Sequence, residues 1–260
     1  MPDVFISLSL VAAAAAHVFG SQRAWAQAGY GRLVGAHQPV WFLAGLAVTG
    51  VALMSPLHGA ADQNLVAHMV QHVLLLAVAA PLLVAGAPLP AMLWCLPDGP
   101  RTRALDLWKR VVRRQRGRGR ILWLVVATVV HIVTLSAWHL PVLYDAAVQN
   151  DAVHAAEHLS FLATACGFWW AVGLGPVAVR GQAILAVFAT SLAGTALGIA
   201  MLLATRPWYS AYPSLGEQEL GAVVMWVFPG IGYSVAAVAL FATWVSRSDR
   251  LSISTAGGTT

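Results

Sequence analysis

The chain has 260 residues, of which 59% are hydrophobic and only 10% are charged, and its formal net charge is +5. A soluble globular domain carries about 25% charged residues, so this composition excludes an ordinary soluble enzyme. It also excludes a disordered chain and a disulfide-stapled secreted module. The class that remains is a polytopic membrane protein.

Seven apolar runs have about the 20 residues that a helix needs to cross the hydrocarbon core of a bilayer. None of them alternates in polarity as the strands of a membrane barrel do. We therefore predict an all-α fold with one seven-helix transmembrane domain over residues 1–260. The predicted spans lie near residues 2–20, 39–57, 65–85, 121–140, 152–174, 181–204 and 221–245.

The first run has two interpretations. The small residues from Ala24 to Ala28 resemble the cleavage site of a secretory signal. However, Asp3 precedes the run, and the basic residues Arg23 and Arg32 follow it. That order favours a retained helix whose N-terminus lies outside.

The basic residues set the expected orientation. Two lie in 21–38, nine in 97–120, one in 175–181 and two after residue 245, whereas Arg206 alone lies in the alternate loops. Because Lys and Arg are enriched on the cytoplasmic side of membrane proteins, the pattern predicts an external N-terminus and a cytoplasmic C-terminus. An odd number of spans agrees with that parity.

The segment 97–120 is the most basic part of the chain, and we expect a cytoplasmic loop there, as we do a short cytoplasmic tail at 246–260. Each basic residue near an anionic bilayer contributes about 1 kcal/mol of attraction. We interpret the loop as an anchor on membrane lipids and do not expect nucleic acid as a partner. Further along the third span, Pro81 predicts a kink.

Six of the nine histidines map to the outer side of the predicted topology: His58, His68, His72, His139, His154 and His158. Two pairs among them have the spacing H-x-x-x-H. Residues four apart on a helix face the same way, so each pair can bind one ion or two adjacent ions. A single such pair is often coincidental, but two pairs at matched depth favour a metal site. His131 lies near the middle of the fourth span, where it either lines a path inward or packs in the core.

The two pairs open the third and fifth spans from the same side, and His139 ends the fourth span at a similar depth. Four or five imidazoles from three helices can therefore meet. Glu157 lies between His154 and His158 in sequence. Its carboxylate can orient a ligating imidazole or bind the ion itself.

Imidazole suits copper, zinc, iron and nickel, and thioether sulfur shifts the preference toward Cu(I). Met69 and Met225 map to the outer ends of their spans and are possible auxiliary ligands, although methionine is also common core filler. Cys95 and Cys166 lie too far from the histidines and from each other to join the site or form a disulfide.

Several motifs resemble the CtaG-like family of bacterial cytochrome c oxidase assembly factors, which are seven-span membrane proteins. The resemblance extends over essentially the whole chain. The matching residues are His68-Met69-Val70-Gln71-His72, Ala80-Pro81-Leu82-Leu83, Trp138-His139-Leu140-Pro141, Tyr144-Asp145, His154-x-x-Glu157-His158, Phe168-Trp169-Trp170, Arg206-Pro207-Trp208-Tyr209 and Met225-Trp226. Before the last span the family usually has Asp-Gln, whereas this chain has Glu217-Gln218.

The resemblance implies a protein of the bacterial plasma membrane that helps to form the copper centre of a terminal oxidase. It implies no enzymatic activity, and it implies copper exchange with a cytochrome c oxidase subunit or an extracytoplasmic copper carrier. Its metal-site candidates in this sequence are His68, His72, His139, His154 and His158. No motif supports His58, which we leave outside the ligand set.

Two other functions remain open from the residues. In an intramembrane zinc hydrolase, three histidines would hold the ion and Glu157 would act as general base. In a haem protein, histidines on facing helices would be axial ligands for electron transfer.

Overall fold

The computed structural model describes residues 2–116, 119–173 and 180–256, and within them all regular structure is helical, which confirms the predicted all-α class. The predicted basic segment 175–181 lies outside the described residues except for its last two positions, as does the end of the tail after residue 256. The helices are α1 (Pro2–Ala28), α2 (Gln38–Met54), α3 (Pro56–Ala61), α4 (Leu65–Val73), a π-helical segment (Leu74–Ala79), α5 (Ala80–Ala85), α6 (Pro88–Leu93), α7 (Asp98–Arg116), α8 (Arg120–Trp138), α9 (Pro141–Gln149), α10 (Asp151–Gly173), α11 (Arg180–Leu202) and α12 (Leu215–Ala256).

Five described helical segments are long and apolar enough to cross a membrane: Val4–Ala28, Leu65–Ala85, Arg120–Trp138, Arg180–Leu202 and Leu215–Ser246. The other two predicted spans correspond to α2, an apolar helix of 17 residues, and to α10, which has 23. Helix α10 carries ionisable side chains in its first two turns, which lower its hydropathy. The chain is a helical membrane protein, and the seven-span topology with its orientation stays a prediction.

The sequence predicted that His58 ends the second span, but the structure places it outside that helix. Helix α2 ends at Met54, and His58 lies in the separate short helix α3. Ser55 makes this break because it precedes Pro56, which disfavours helical backbone at the residue before it. The Ser55 hydroxyl then caps α3 by accepting a hydrogen bond from the Leu57 amide at 3.1 Å.

The basic segment that we expected as a loop is helical over most of its length, in α7. Arg and Lys are good helix formers, and three-residue spacing pairs Arg101 with Asp98 at 2.7 Å and Lys109 with Asp106 at 3.3 Å. Trp108 on the same helix stacks on Trp170 of α10 with ring centroids 5.4 Å apart. The segment is thus an amphipathic helix packed on the bundle.

The predicted irregularity at Pro81 takes the form of the π-helical segment just before it. There the Ala80 amide donates to the carbonyl of Leu75, five residues back. In the same pattern Pro81 would bond to the carbonyl of Leu76, but proline has no N–H. The indole Nε1 of Trp169 on α10 donates to this carbonyl instead, at 3.2 Å. The π-helical segment therefore leaves a carbonyl free for the hydrogen bond that joins the Leu65–Ala85 helix to α10.

Close backbone contacts fix the same helix against α2. A Cβ atom on Gly86 would lie 2.8 Å from the Cα atom of Phe42, and one on Gly45 would lie 2.8 Å from the Leu83 amide nitrogen. Helix α4 also packs against α12, and α10 packs against α5 and α8. The N-terminal parts of α4 and α10 and the C-terminal end of α8 thereby lie close to one another.

Candidate metal centre

The two predicted histidine pairs meet inside the bundle. His68 and His72 extend from α4, His154 and His158 extend from α10, and all four side chains are buried. Their ring centroids are separated by 4.3 Å for His154 and His158 and by 6.1 Å for His68 and His158. The two helices therefore bring together imidazoles that are more than 80 residues apart in sequence.

A compact donor group forms within this cluster. His68, His154, Glu157 and His158 each offer one ligand atom, and these four atoms all lie within 4.8 Å of one another. The sequence left open whether the carboxylate of Glu157 would orient a histidine or bind directly. The structure places it inside the compact group.

Glu157 is completely buried and faces two different imidazoles. Its Oε2 atom lies 3.8 Å from Nε2 of His68, and its Oε1 atom lies 3.5 Å from Nε2 of His72. Neither oxygen has a hydrogen-bond partner among the described residues. Burying a carboxylate without partners is costly, so the arrangement suits a bound cation.

His139 lies beside the compact group, at the C-terminal end of α8. Its ring centroid is 5.9 Å from that of His72. Its Nδ1 atom lies 2.8 Å from the carbonyl oxygen of Leu135. A carbonyl only accepts, so Nδ1 carries the proton and Nε2 is left with a free lone pair. Nε2 of His139 is buried and has no hydrogen-bond partner in the described part of the chain.

Tyr212, in the segment between α11 and α12, fixes the tautomer of His68. Burial raises the pKa of the Tyr212 phenol, which stays protonated and donates to the carbonyl of Ala61. Nδ1 of His68 lies 3.1 Å from the same phenol oxygen and must therefore be the donor there. Nε2 of His68, which faces the compact group, is consequently unprotonated and available to a metal.

Three further contacts hold that segment over the cluster. Asp145 accepts hydrogen bonds from the Ser210 and Ala211 amides at 3.1 and 3.2 Å. The side chain of Gln218 accepts from the Trp208 amide at 2.6 Å. The segment 203–214 is thus tied to both α9 and α12.

His58 is half-buried and lies near the cluster, with its ring centroid 5.8 Å from that of His154. The amide nitrogen of Gln71 donates to the carbonyl of Ala52 at 2.7 Å and lies 3.1 Å from Nδ1 of His58. Nδ1 is therefore an acceptor, and the proton of the neutral ring lies on Nε2. The exclusion of His58 from the ligand set stays a prediction.

The two candidate methionines lie in an apolar cluster beside the histidines. Met69 and Met225 are buried there with Tyr144, Tyr209 and Tyr212. Their role as thioether ligands stays a prediction. Cys95 and Cys166 are both free, as expected.

The remaining buried histidines lie elsewhere. Nδ1 of His131 is 3.2 Å from the hydroxyl of Thr164, and its ring stacks on Phe168. In α1, Nε2 of His17 donates to the carbonyl of Gly86 at 2.9 Å. Neither belongs to the compact group.

Sequence reasoning did not identify the residues that set the ring tautomers. Tyr212 is 144 positions from His68, and no local spacing connects them. Gln71 lies inside the first histidine pair, where its position between two candidate ligands is the one available signal. The tyrosine-rich stretch 209–212 offers only its aromatic composition.

Comparison with known proteins gives one family. The family described as cytochrome c oxidase caa3 assembly factor (Caa3_CtaG) matches residues 15–247. No curated protein and no solved structure matches the chain. Because the family match extends from α1 into α12, the chain belongs to the cytochrome c oxidase caa3 assembly factors.

Proposed function

We propose that the protein binds copper at the outer face of the bacterial plasma membrane and hands it over for formation of the oxidase copper centre. The recipient is a cytochrome c oxidase subunit or an extracytoplasmic copper carrier. The observation that carries this proposal is the buried group of His68, His154, Glu157 and His158, whose ligand atoms lie within 4.8 Å of one another.

The donor chemistry fits a copper cargo. Imidazole nitrogens are good copper ligands, and the carboxylate of Glu157 offsets part of the charge of a buried cation. Nε2 of His68, His154 and His158 and both oxygens of Glu157 are buried without hydrogen-bond partners among the described residues. A bound ion would satisfy these atoms together.

Handover requires that one ligand can be exchanged for another without a redox or hydrolytic step. Five imidazoles and one carboxylate exceed the four ligands of a tetrahedral ion, so a ligand can leave while others hold the cargo. Membership of an assembly-factor family favours this role over catalysis. Zinc suits the same donors, and metal analysis separates the two cargoes.

The first test is the metal content of detergent-purified protein, measured by mass spectrometry. We expect copper in the wild-type protein and none in the double variant His68→Ala/His72→Ala. The matched control is His17→Ala/His131→Ala, which also removes two buried imidazoles but leaves the cluster intact and should retain copper. Membrane insertion of each variant is checked by its recovery in the membrane fraction, and folding is checked by size-exclusion chromatography in detergent.

Three results would contradict the proposal. Copper that persists in the His68/His72 variant would place the cargo elsewhere. Zinc in its place, together with a hydrolytic activity that Glu157→Gln abolishes, would indicate a metal hydrolase. Iron with a Soret band would indicate a haem protein.

The proposed location is tested by reporter fusions. A reporter placed near Asp151 should behave as external, and one placed after Thr260 should behave as cytoplasmic. The reverse pattern would put the histidine cluster at the inner face and would be incompatible with copper delivery outside.

The proposed cargo is tested in cells. Deletion of the gene should lower oxidase activity most strongly when copper is limiting. A defect that added copper does not reduce would indicate a scaffolding role in assembly.

A further inference from the structure

The metal centre has more donors than one ion can use. His68, His154, Glu157 and His158 form the compact group, which alone supplies four ligands. His72 and His139 are buried beside it and are not members of it. An ion with four ligands is complete within the compact group, so one such ion would leave two adjacent imidazoles unused.

Glu157 lies between these two sets of donors. Its Oε2 atom is 3.8 Å from Nε2 of His68, in the compact group, and its Oε1 atom is 3.5 Å from Nε2 of His72, outside that group. The two oxygens of one carboxylate thus face different imidazoles. A carboxylate in this position can bridge two ions, with one oxygen on each.

In the second set of donors, the tautomer of His139 suits a metal ion. His139 donates from Nδ1 to the carbonyl of Leu135, which leaves its Nε2 lone pair free. Both ring nitrogens of His72 and Nε2 of His139 are buried without a hydrogen-bond partner in the described part of the chain. The ring centroids of His72 and His139 are 5.9 Å apart, with the planes inclined by 74°.

We propose that the centre holds two adjacent metal positions that share Glu157 as a bridging ligand. The first position uses His68, His154, His158 and Oε2 of Glu157. The second uses His72, His139 and Oε1 of Glu157, and its remaining coordination is open to a ligand from a partner. This inference rests on the proposed function, since it takes copper as the cargo.

Two positions give the handover a defined route. An ion in the second position has two protein imidazoles and half of a carboxylate, so it is held by fewer ligands than an ion in the first. The second position therefore releases its ion to a recipient first, and the bridging carboxylate lets the ion in the first position move into the vacancy. No electron or proton transfer is required, because only metal–ligand bonds form and break.

The test is the copper-to-protein ratio after anaerobic loading with Cu(I) and removal of unbound metal by gel filtration. We expect two copper ions per wild-type chain, one in His139→Ala and one in His154→Ala. His131→Ala removes a buried histidine outside the centre and should keep two. X-ray absorption of the loaded wild-type protein should show copper–copper scattering at about 3.5–4 Å, the separation typical of two-metal sites. Glu157→Gln should lose this signal.

The outcomes separate the two proposals. No copper in the wild-type protein would overturn both. One copper per wild-type chain, without copper–copper scattering, would leave the proposed function intact and overturn the second position. Two copper ions that persist in His139→Ala would show that His139 is not a ligand and would also overturn this assignment. The scattering measurement needs no variant, so a variant that fails to fold does not prevent the test.

Discussion

Two buried regions of the molecule use histidine in opposite ways. His17 in α1 is fully buried, and its Nε2 atom donates to the carbonyl of Gly86 at 2.9 Å. Its Nδ1 atom lies 3.4 Å from the hydroxyl of Ser21. His72 in α4 is 1% exposed, yet neither of its ring nitrogens has a hydrogen-bond partner among the described residues.

The difference separates structural histidines from candidate ligands. The hydrogen bond from His17 to the carbonyl of Gly86 offsets part of the cost of burying this imidazole. A buried polar group without partners costs about 1–3 kcal/mol. The protein retains several such groups around Glu157, which is the pattern of a site whose ligand supplies the missing interactions. Burial alone does not distinguish the two kinds of histidine. A single unpartnered nitrogen does not either, since Nε2 of His131 is also buried without a hydrogen-bond partner among the described residues; the grouping of several such nitrogens around Glu157 does.

Leucine substitutions at these two positions should have opposite effects on the metal-free protein. His72→Leu keeps most of the volume and removes two unsatisfied nitrogens, so thermal stability in detergent with a chelator should stay equal or rise by up to about 1–3 kcal/mol. His17→Leu leaves the carbonyl of Gly86 without its donor and should lower stability by about 1–3 kcal/mol. Thermal unfolding of both variants measures the contrast.

Added copper sharpens the same comparison. It should raise the unfolding temperature of His17→Leu as it does that of the wild-type protein, but it should raise that of His72→Leu less. If His72→Leu is the less stable of the two in the absence of metal, the interpretation of its bare nitrogens is wrong.

Tyr212 should matter for metal affinity more than its position outside the donor set suggests. Tyr212→Phe removes the hydroxyl that accepts from Nδ1 of His68, so the His68 ring is free to take the other tautomer and to rotate. Loss of such a supporting contact typically weakens metal binding 10–100-fold. Competition with a copper chelator of known affinity measures the change.

Tyr209→Phe is the matched control for this prediction. The Tyr209 hydroxyl donates to the backbone carbonyl of His139 at 3.2 Å and touches no ring nitrogen. Its removal should change copper affinity less than Tyr212→Phe does. Equal losses in both variants would mean that general packing, and not the tautomer of His68, sets the affinity.

The sequence was sufficient for the helical class and for the two histidine pairs, because both depend on local patterns. Apolar runs of membrane length and four-residue spacing can be identified within one helix. The ring tautomers could not be predicted, since they depend on contacts such as His68 with Tyr212 across 144 positions. The contacts of Glu157 could not be predicted from the sequence either, because its partners His68 and His72 lie on another helix.

Irregular backbone was predicted less well than regular helix. Pro81 indicated a disturbance of the third span, but the π-helical turn depends on a donor from Trp169, 93 residues away from Leu76. The break between α2 and α3 follows from Ser55 and Pro56. The hydropathy of the predicted span 39–57 does not indicate this break, since mean hydropathy is insensitive to where a helix ends within an apolar run.

Two glycine substitutions test how tightly the region around His17 is packed. A Cβ atom on Gly86 would lie 2.8 Å from the Cα atom and the amide nitrogen of Phe42, whereas one on Gly167 would meet open space. Gly86→Ala should therefore destabilise the protein by about 1–3 kcal/mol through overpacking. Gly167→Ala lies within α10 and should stabilise it by about 0.5–1 kcal/mol. Thermal unfolding of the two variants gives the sign of each effect.

The prediction is contradicted if both glycine substitutions change the stability of the protein in the same direction. Stabilisation by Gly86→Ala would mean that α2 and α5 can separate without cost. Because Gly86 also accepts from His17, a shift there should weaken that hydrogen bond too, and Gly86→Ala should add less than its full cost in a His17→Leu background.

The smallest expected effect concerns the carbonyl of Leu76, which accepts a hydrogen bond from the side chain of Trp169. Trp169→Phe keeps one aromatic ring but removes the five-membered ring of the indole with the N–H that reaches the carbonyl of Leu76. Loss of the hydrogen bond alone should lower stability by about 0.5–1.5 kcal/mol. In a Pro81→Ala background the chain regains an amide N–H that can serve this turn of the helix. The cost of Trp169→Phe should then fall, and a double-mutant cycle measures the coupling. An equal cost in both backgrounds would show that Trp169 acts through its packing alone.

A coupling of the predicted sign would mean that the helix bearing His68 and His72 is held against α10 by a hydrogen bond that exists only because Pro81 interrupts the helix. The proline would then help to position both histidine pairs.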